Sequence, residues 1–142
     1  MNFNYSVEGG NFSKAGTASS QFKKVLKQLN VDPITIKRIV VALYEAEVNI
    51  VAHAWEGKID IEVDMEKVYI NLADKGPGIA DINQAMKPGF STASPSVREM
   101  GFGAGMGLMN IKNNVDSLHI SSEVGKGTEL EMTINLSSII SK

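Results

Sequence analysis

The hydrophobic residues of this chain follow two periods, and each period predicts a different kind of element. Apolar residues at every second position are typical of half-buried strands. This alternation predicts strands at residues 3–7, 59–63, 68–72, 118–124 and 128–136. Apolar residues three and four positions apart are typical of helices with one buried face. This spacing predicts helices at residues 17–29, from 32 to about 55–57, at 82–86 and at 108–118.

The order of these elements indicates the fold class. Hairpins and helices are grouped along the chain, because short turns at residues 65–67 and 125–127 each join two neighbouring strands. Residues 87–107 show no period and are expected to form a loop, and residues 137–142 are expected to form a tail. Grouped strands and helices predict an α+β fold, a two-layer sandwich with a mixed, mostly antiparallel sheet and helices on one face.

Composition narrows the kinds of chemistry open to the chain. A length of 142 residues fits a single domain spanning residues 1–142. With no cysteine and two histidines, thiolate sites and three-histidine metal sites are excluded. The net charge of −2 argues against unaided binding of nucleic acid. No apolar run is long enough to span a membrane and the first residues do not resemble a secretory signal, so we expect a cytoplasmic protein.

Glycine is distributed unevenly along the chain. Of 13 glycines, seven lie in the 32 residues from Gly76 to Gly107. At average usage such a stretch holds about two. We therefore expect the functional site to involve this segment.

Four short motifs carry candidate chemistry, and the first lies on the long second helix. Asp32 and Pro33 predict the start of this helix, as a cap and a first helical residue. Glu45 and Asn49 are four residues apart, so they share one face, whereas Glu47 lies about 200° around the helix from Glu45. Polar side chains in this apolar helix indicate a site. The alternative is a solvated helix edge.

The other three motifs are rich in glycine. Asp74, in the run DKGPGI, follows a strand and offers a carboxylate to an exocyclic amine, although a surface turn is the alternative. The run GFGAGMGL at residues 101–108 opens a helix, where free amides form an anion site, although a flexible linker is the alternative. It lacks the G-K-[ST] of a P-loop. The run GKGT, ending at Thr128, predicts a hairpin turn. The alternative is that this turn joins two strands and has no other role.

Taken in chain order, these motifs resemble the N, G1, G2 and G3 boxes of the GHKL superfamily of ATPases and kinases. The resemblance covers about residues 10–136. The short chain, the long G2 box and the phrase Phe90-Ser91-Thr92 look like the bacterial anti-sigma factors and switch serine/threonine kinases.

The resemblance implies a role for each matching residue. Glu45 is implied as the general base, Asn49 as the Mg²⁺ ligand and Asp74 as the partner of the adenine amino group. Residues from about 87 to 107 are implied as a mobile ATP lid, in which Arg98 meets the γ-phosphate or is a solvated charge. The implied cofactor-binding set is Asn49, Asp74, Gly76, Gly78, Ile79, Arg98, Gly101, Gly103, Gly105, Met106, Gly107, Leu108 and Thr128.

The function that the resemblance implies is an ATP- and Mg²⁺-dependent serine/threonine protein kinase. Its expected substrate is a STAS-domain anti-anti-sigma protein, with a sigma factor as a second partner. One alternative is a nucleotide-tuned binding module, since residues 1–40 hold six basic and two acidic residues and suit an acidic partner. A simple ATPase is another. The sequence leaves open a homodimer and the role of His53.

Overall fold

The computed structural model of the chain describes residues 1–79, 82 and 107–136. These residues form five strands, three α-helices and one short 3-10 turn. The strands are β1 (Asn2–Glu8), β2 (Glu56–Val63), β3 (Lys67–Lys75), β4 (Ser117–Glu123) and β5 (Gly127–Asn135). The helices are α1 (Thr17–Gln28), α2 (Pro33–His53) and α3 (Gly107–Asn114), and the 3-10 turn is Phe12–Lys14.

The five strands form one sheet in the order β1-β2-β3-β5-β4. Each neighbouring pair is antiparallel, so the described sheet is antiparallel throughout and not mixed. Exposed and buried residues alternate strictly along β2, as expected when helices cover one face of a sheet and solvent the other. The predicted α+β fold is confirmed.

Two predicted helix ends are wrong by a few residues. Helix α2 stops at His53, because Ala54 is extended and the Trp55 N–H donates to the Lys75 oxygen of β3, 2.8 Å away. Helix α3 stops at Asn114, because Leu118 pairs with β5 as part of β4. The predicted helix at 82–86, the loop at 87–107 and the tail lie outside the described residues, apart from Ile82 and Gly107, both helical.

The two long helices begin in different ways. Asp32 caps α2 as predicted, since its Oδ1 accepts hydrogen bonds from the N–H groups of Ile34 (2.9 Å) and Thr35 (3.3 Å). The residue before α1 is Gly16, which has no side chain to offer. The carboxylate at the start of α1 comes instead from Glu47 of α2, which is 2% exposed. A solvated helix edge is therefore the wrong interpretation for Glu47.

Helix α2 supplies much of the core. Its side chains Ile39, Leu43 and Ala46 are fully buried in one hydrophobic cluster with residues of the sheet and of α1. Phe22 of α1 packs edge-on against Phe3 of β1, with ring centroids 5.6 Å apart. In the described part of the chain, no helix is long and apolar enough to cross a membrane.

Two isoleucines of α2 test this packing with the same substitution. Ile39→Ala removes a side chain that is 0% exposed and should lower the free energy of unfolding by about 2–5 kcal/mol. Ile34→Ala removes one that is 75% exposed and should change it by less than about 0.5 kcal/mol. Urea unfolding measures both, and equal losses would contradict this placement of α2.

Candidate functional site

Glu45 and Asn49 lie together on α2 and face the first residue of α3. A methyl group added at Gly107 would lie 3.1 Å from Asn49 Oδ1 and 3.4 Å from Glu45 Oε2. The last glycine of the G2 box is therefore in contact with both polar side chains of the N box. Gly107 lies 62 positions after Glu45 and 58 after Asn49, and the packing of α2 on α3 brings these groups together.

The carboxyl group of Glu45 has a partner that the sequence did not reveal. Asn110, three residues after Gly107 on α3, hydrogen-bonds to Glu45. Burial raises the pKa of Glu45, and the hydrogen bond from Asn110 partly opposes that rise. A prediction that α2 packs on α3 could have identified Asn110, because it lies one turn beyond Gly107.

Asp74 lies near the end of β3, where the turn after this strand packs against the β4–β5 hairpin. Its Oδ1 accepts a hydrogen bond of 3.0 Å from the Thr128 N–H, and no described residue donates to its Oδ2. Burial raises the pKa of Asp74, while the bond from Thr128 works against that rise. The predicted residues Asp74 and Thr128 are thus in direct contact.

Ser122 organises the same turn, although it was not predicted as a site residue. Its Oγ accepts a hydrogen bond of 2.7 Å from the Ile79 N–H and donates one of 3.1 Å to the Gly127 oxygen. It also lies 2.9 Å from Thr128 Oγ1. Ser122 pairs with Thr128 across the β4–β5 hairpin, so a register prediction for that hairpin would have found it.

Two glycines of the G1 box are required by close backbone packing. Gly78 has a φ of 77°, and a methyl group there would lie 2.4 Å from the Glu123 oxygen. A methyl group on Gly76 would lie 2.9 Å from the Cα of Ala54, just after α2. The packing of these turns therefore excludes a side chain at either position.

Helix α2 connects the two groups of residues. Asn49 contacts Gly107, whereas Ala54, five residues further along, contacts Gly76. At a rise of about 1.5 Å per residue, Asn49 lies about 6 Å along the axis from His53, the last helical residue before Ala54. Asn49 and the turn that contains Gly76 therefore both lie near the C-terminal end of α2.

The remaining predicted residues have mixed outcomes. Leu108 is buried in the hydrophobic core at 8% exposure, and Ile79 is half-buried and packs against that core. His53 is half-buried and has an interaction partner. Five predicted site residues lie outside the described residues: Gly101, Gly103, Gly105, Met106 and Arg98.

The residues at the N-box end could hold a divalent cation only together with water and the phosphates of a bound substrate. No group of three or more His, Cys, Asp or Glu residues suited to a metal occurs among residues 1–79, 82 and 107–136. The side-chain oxygen of Asn49 is a hard donor beside the Glu45 carboxylate. Mg²⁺ is commonly held by one or two such oxygens together with water and substrate phosphates, so this donor set is compatible with Mg²⁺.

The raised pKa of Glu45 makes the stability of the protein depend on pH. The folded protein holds the proton of Glu45 to a higher pH than the unfolded chain does, so this group contributes its full stability below the ordinary pKa of 4.5. That contribution is lost as the pH rises through the pKa of Glu45 in the folded protein. Because the side chain in Glu45→Gln does not titrate, the stability of this variant relative to the parent protein should increase over the same pH range. Urea unfolding of both proteins from about pH 4 to about pH 8 measures this, and a constant or falling gain would contradict it.

Comparison with known proteins agrees with the motifs. Residues 12–134 match a family described as the histidine kinase-like ATPase domain. The serine/threonine-protein kinase RsbT of Bacillus subtilis (strain 168) is 34% identical over 113 residues, which cover 77% of this chain and 79% of that protein.

Two anti-sigma F factors match over more of the chain than this kinase does. That of Thermoanaerobacter sp. (strain X514) is 34% identical over 138 residues, covering 94% of this chain and 91% of that protein. That of Bacillus subtilis (strain 168) is 30% identical over 143 aligned positions, covering 96% and 92%. The predicted family is confirmed: the chain belongs to the histidine kinase-like ATPase domains of the GHKL type, among relatives named as anti-sigma factors and a serine/threonine kinase.

Proposed function

We propose that this chain is an ATP- and Mg²⁺-dependent serine/threonine protein kinase that acts on a regulatory protein with a STAS domain. The observation that carries the proposal is the contact of Glu45 and Asn49 with Gly107, because it joins a carboxylate, a metal-ligand oxygen and a glycine-rich helix start. Phosphoryl transfer depends on positioning and charge neutralisation, for which these groups are suited.

The turn around Asp74 is proposed to bind adenine. The Thr128 N–H holds Oδ1, so Oδ2 is left to accept a hydrogen bond from the exocyclic amino group. Ser122 fixes Thr128 and Ile79 beside it. A carboxylate at this position favours adenine over guanine, whose corresponding group is a carbonyl oxygen and does not donate.

The N-box end is proposed to receive the phosphates. Mg²⁺ held by Asn49 would neutralise charge on the phosphate oxygens. Gly107 begins α3. Backbone amides at the start of a helix are suited to binding anions. The side-chain oxygen of Asn49 provides a neutral ligand, so it adds no negative charge near the phosphates.

Glu45 is proposed to accept the proton of the attacking hydroxyl group. As the hydroxyl oxygen of the acceptor bonds to the γ-phosphorus, the bond from that phosphorus to the bridging oxygen breaks and ADP leaves. The hydroxyl proton passes to the Glu45 carboxylate. Burial raises the pKa of Glu45 and so makes it a better proton acceptor than an exposed carboxylate, while Asn110 orients it.

A second candidate function is a binding module that sequesters an acidic partner. Lys23, Lys24 and Lys27 are all exposed on α1, and none of them forms an ion pair with another described residue. Such a basic surface suits an acidic protein partner. Nucleotide would then tune affinity, and no phosphoryl group would be transferred.

Substitution of the proposed base separates these functions. With labelled ATP and a purified STAS-domain protein as acceptor, Glu45→Ala should slow transfer by about 10²–10⁴-fold. Its affinity for ATP should remain close to that of the parent protein, because Glu45 contributes no ligand to the phosphates or to adenine. Glu62→Ala, at an exposed position on the outer face of β2, is the matched control and should transfer normally.

Each alternative gives a different result in the same assay. Transfer at the parental rate by Glu45→Ala would remove Glu45 from the mechanism. A stable complex with the parent protein and no labelled acceptor would favour the binding module. Steady release of phosphate without any acceptor would favour an ATPase.

A further inference from the structure

We propose that Glu47 is a positioning residue that fixes the rotation of α2 about its axis and so orients Asn49 and Glu45. This inference rests on the proposed function, since it assigns Asn49 to the metal. Glu47 is two residues from each of them, which places it about 160–200° around the helix from both. It therefore anchors the opposite side of α2 from the site.

The anchor consists of four hydrogen bonds to the start of α1. Oε2 of Glu47 accepts from the N–H groups of Gly16 and Ala18, each at 3.1 Å. Oε1 accepts from the Ser19 N–H at 3.0 Å and the Ser19 hydroxyl at 2.7 Å. Both oxygens are engaged, and the side chain is 2% exposed, so water does not compete for it.

A neighbouring residue of α2 also contacts the start of α1. Gly16 adopts a φ of 91°, and a methyl group there would lie 3.1 Å from the ring of Tyr44. Tyr44 and Glu47, one turn apart on α2, thus both contact residues at the start of α1.

The size of the effect follows from helix geometry. A carboxylate about 5–6 Å from the helix axis moves by about 1 Å when the helix rotates by about 10°. A displacement of that size takes hydrogen bonds of normal length out of range, so four of them resist rotation together. A ligand or catalytic group misplaced by about 1 Å can lose about 10²-fold in rate. Fixing the position of Glu47 therefore keeps Asn49 and Glu45 in contact with α3.

The chemistry of the anchor requires a carboxylate. All four partners are donors, and a carboxylate has two acceptor oxygens for them. Glutamine has one acceptor oxygen, and its amide NH₂ would face either the N–H groups of Gly16 and Ala18 or the N–H and hydroxyl of Ser19. Glu47→Gln therefore keeps the size of the side chain and leaves at least one N–H donor at the start of α1 unpaired, which weakens the anchor.

The test measures metal-dependent nucleotide binding in place of activity. For each protein, calorimetry gives the affinity for ATP with Mg²⁺ and with a chelator, and their ratio is the gain due to Mg²⁺. Glu47→Gln should reduce this gain by about tenfold or more, because a displaced Asn49 holds the metal poorly. ADP binding without Mg²⁺ should be unchanged, because Asp74 and Thr128 lie on other elements.

Three further variants complete the comparison. Glu62→Gln makes the same change of charge on the exposed outer face of β2 and should leave the gain intact. Asn49→Ala should remove the gain. Ser19→Ala removes one donor to Glu47 and should lower the gain in the same direction by a smaller factor, which keeps the test available if Glu47→Gln does not fold.

The outcomes distinguish this inference from the proposed function. A parental gain in Glu47→Gln and in Ser19→Ala, with only the free energy of unfolding lowered, would show that Glu47 is simply a cap of α1 and would overturn the inference. If Asn49→Ala lost the gain in that same experiment, the proposed metal site would stand. Absence of any gain in the parent protein would overturn both.

Discussion

The position of α2, with neighbours on several sides, is the constraint on which the rest of this structure depends. Apolar residues such as Ile39 and Leu43 bury the helix in the core. Glu47 binds the start of α1 with four hydrogen bonds, and Glu45 contacts α3 through Asn110. Because one rigid element has to meet all these contacts together, its rotation and its depth in the core are closely determined. The site inherits its geometry from that packing.

The second half of the site depends on close contacts between turns. At the Lys75 end of the sheet, the Gly76 N–H donates to the Lys126 oxygen and the Gly125 N–H to the Pro77 oxygen. These bonds hold the G1 turn against the β4–β5 hairpin, and Ser122 joins Ile79 to Thr128 within it. Asp74 therefore lies beside a turn that these hydrogen bonds hold in place and in which the glycines permit close approach. Hydrogen bonds that fix a turn before binding would lower the cost of ordering the proposed site.

Local spacing in the sequence was enough to predict some of these relations. The four-residue step from Glu45 to Asn49 predicted a shared face, and Asp32 with Pro33 predicted the start of α2, which the structure confirms. The alternation of apolar residues predicted all five described strands and the α+β fold. In each of these cases the signal comes from residues within about two turns or one strand of each other, where the period of the backbone alone decides the outcome.

Each of the residues that sequence reasoning missed makes at least one contact over a long distance along the chain. Glu47 binds residues 28 to 31 positions earlier, and Ser122 binds a residue 43 positions earlier. Asn110 meets Glu45 only because α3 packs on α2. No periodic pattern carries such information, and an acidic residue inside an apolar helix predicts a partner without identifying it. The end of α2 was missed for the same reason, since the bond from Trp55 to Lys75 depends on the sheet.

The most direct test of the proposed nucleotide site is calorimetric titration of the parent protein with ATP and with ADP, each with and without Mg²⁺. We expect both nucleotides to bind, and Mg²⁺ to strengthen ATP binding through the oxygen of Asn49. GTP should bind more weakly than ATP, because Asp74 offers an acceptor and guanine has a carbonyl oxygen in place of the adenine amino group. Absence of binding of either adenine nucleotide at millimolar concentration would contradict the central claim that Glu45, Asn49, Asp74 and Thr128 form one nucleotide site.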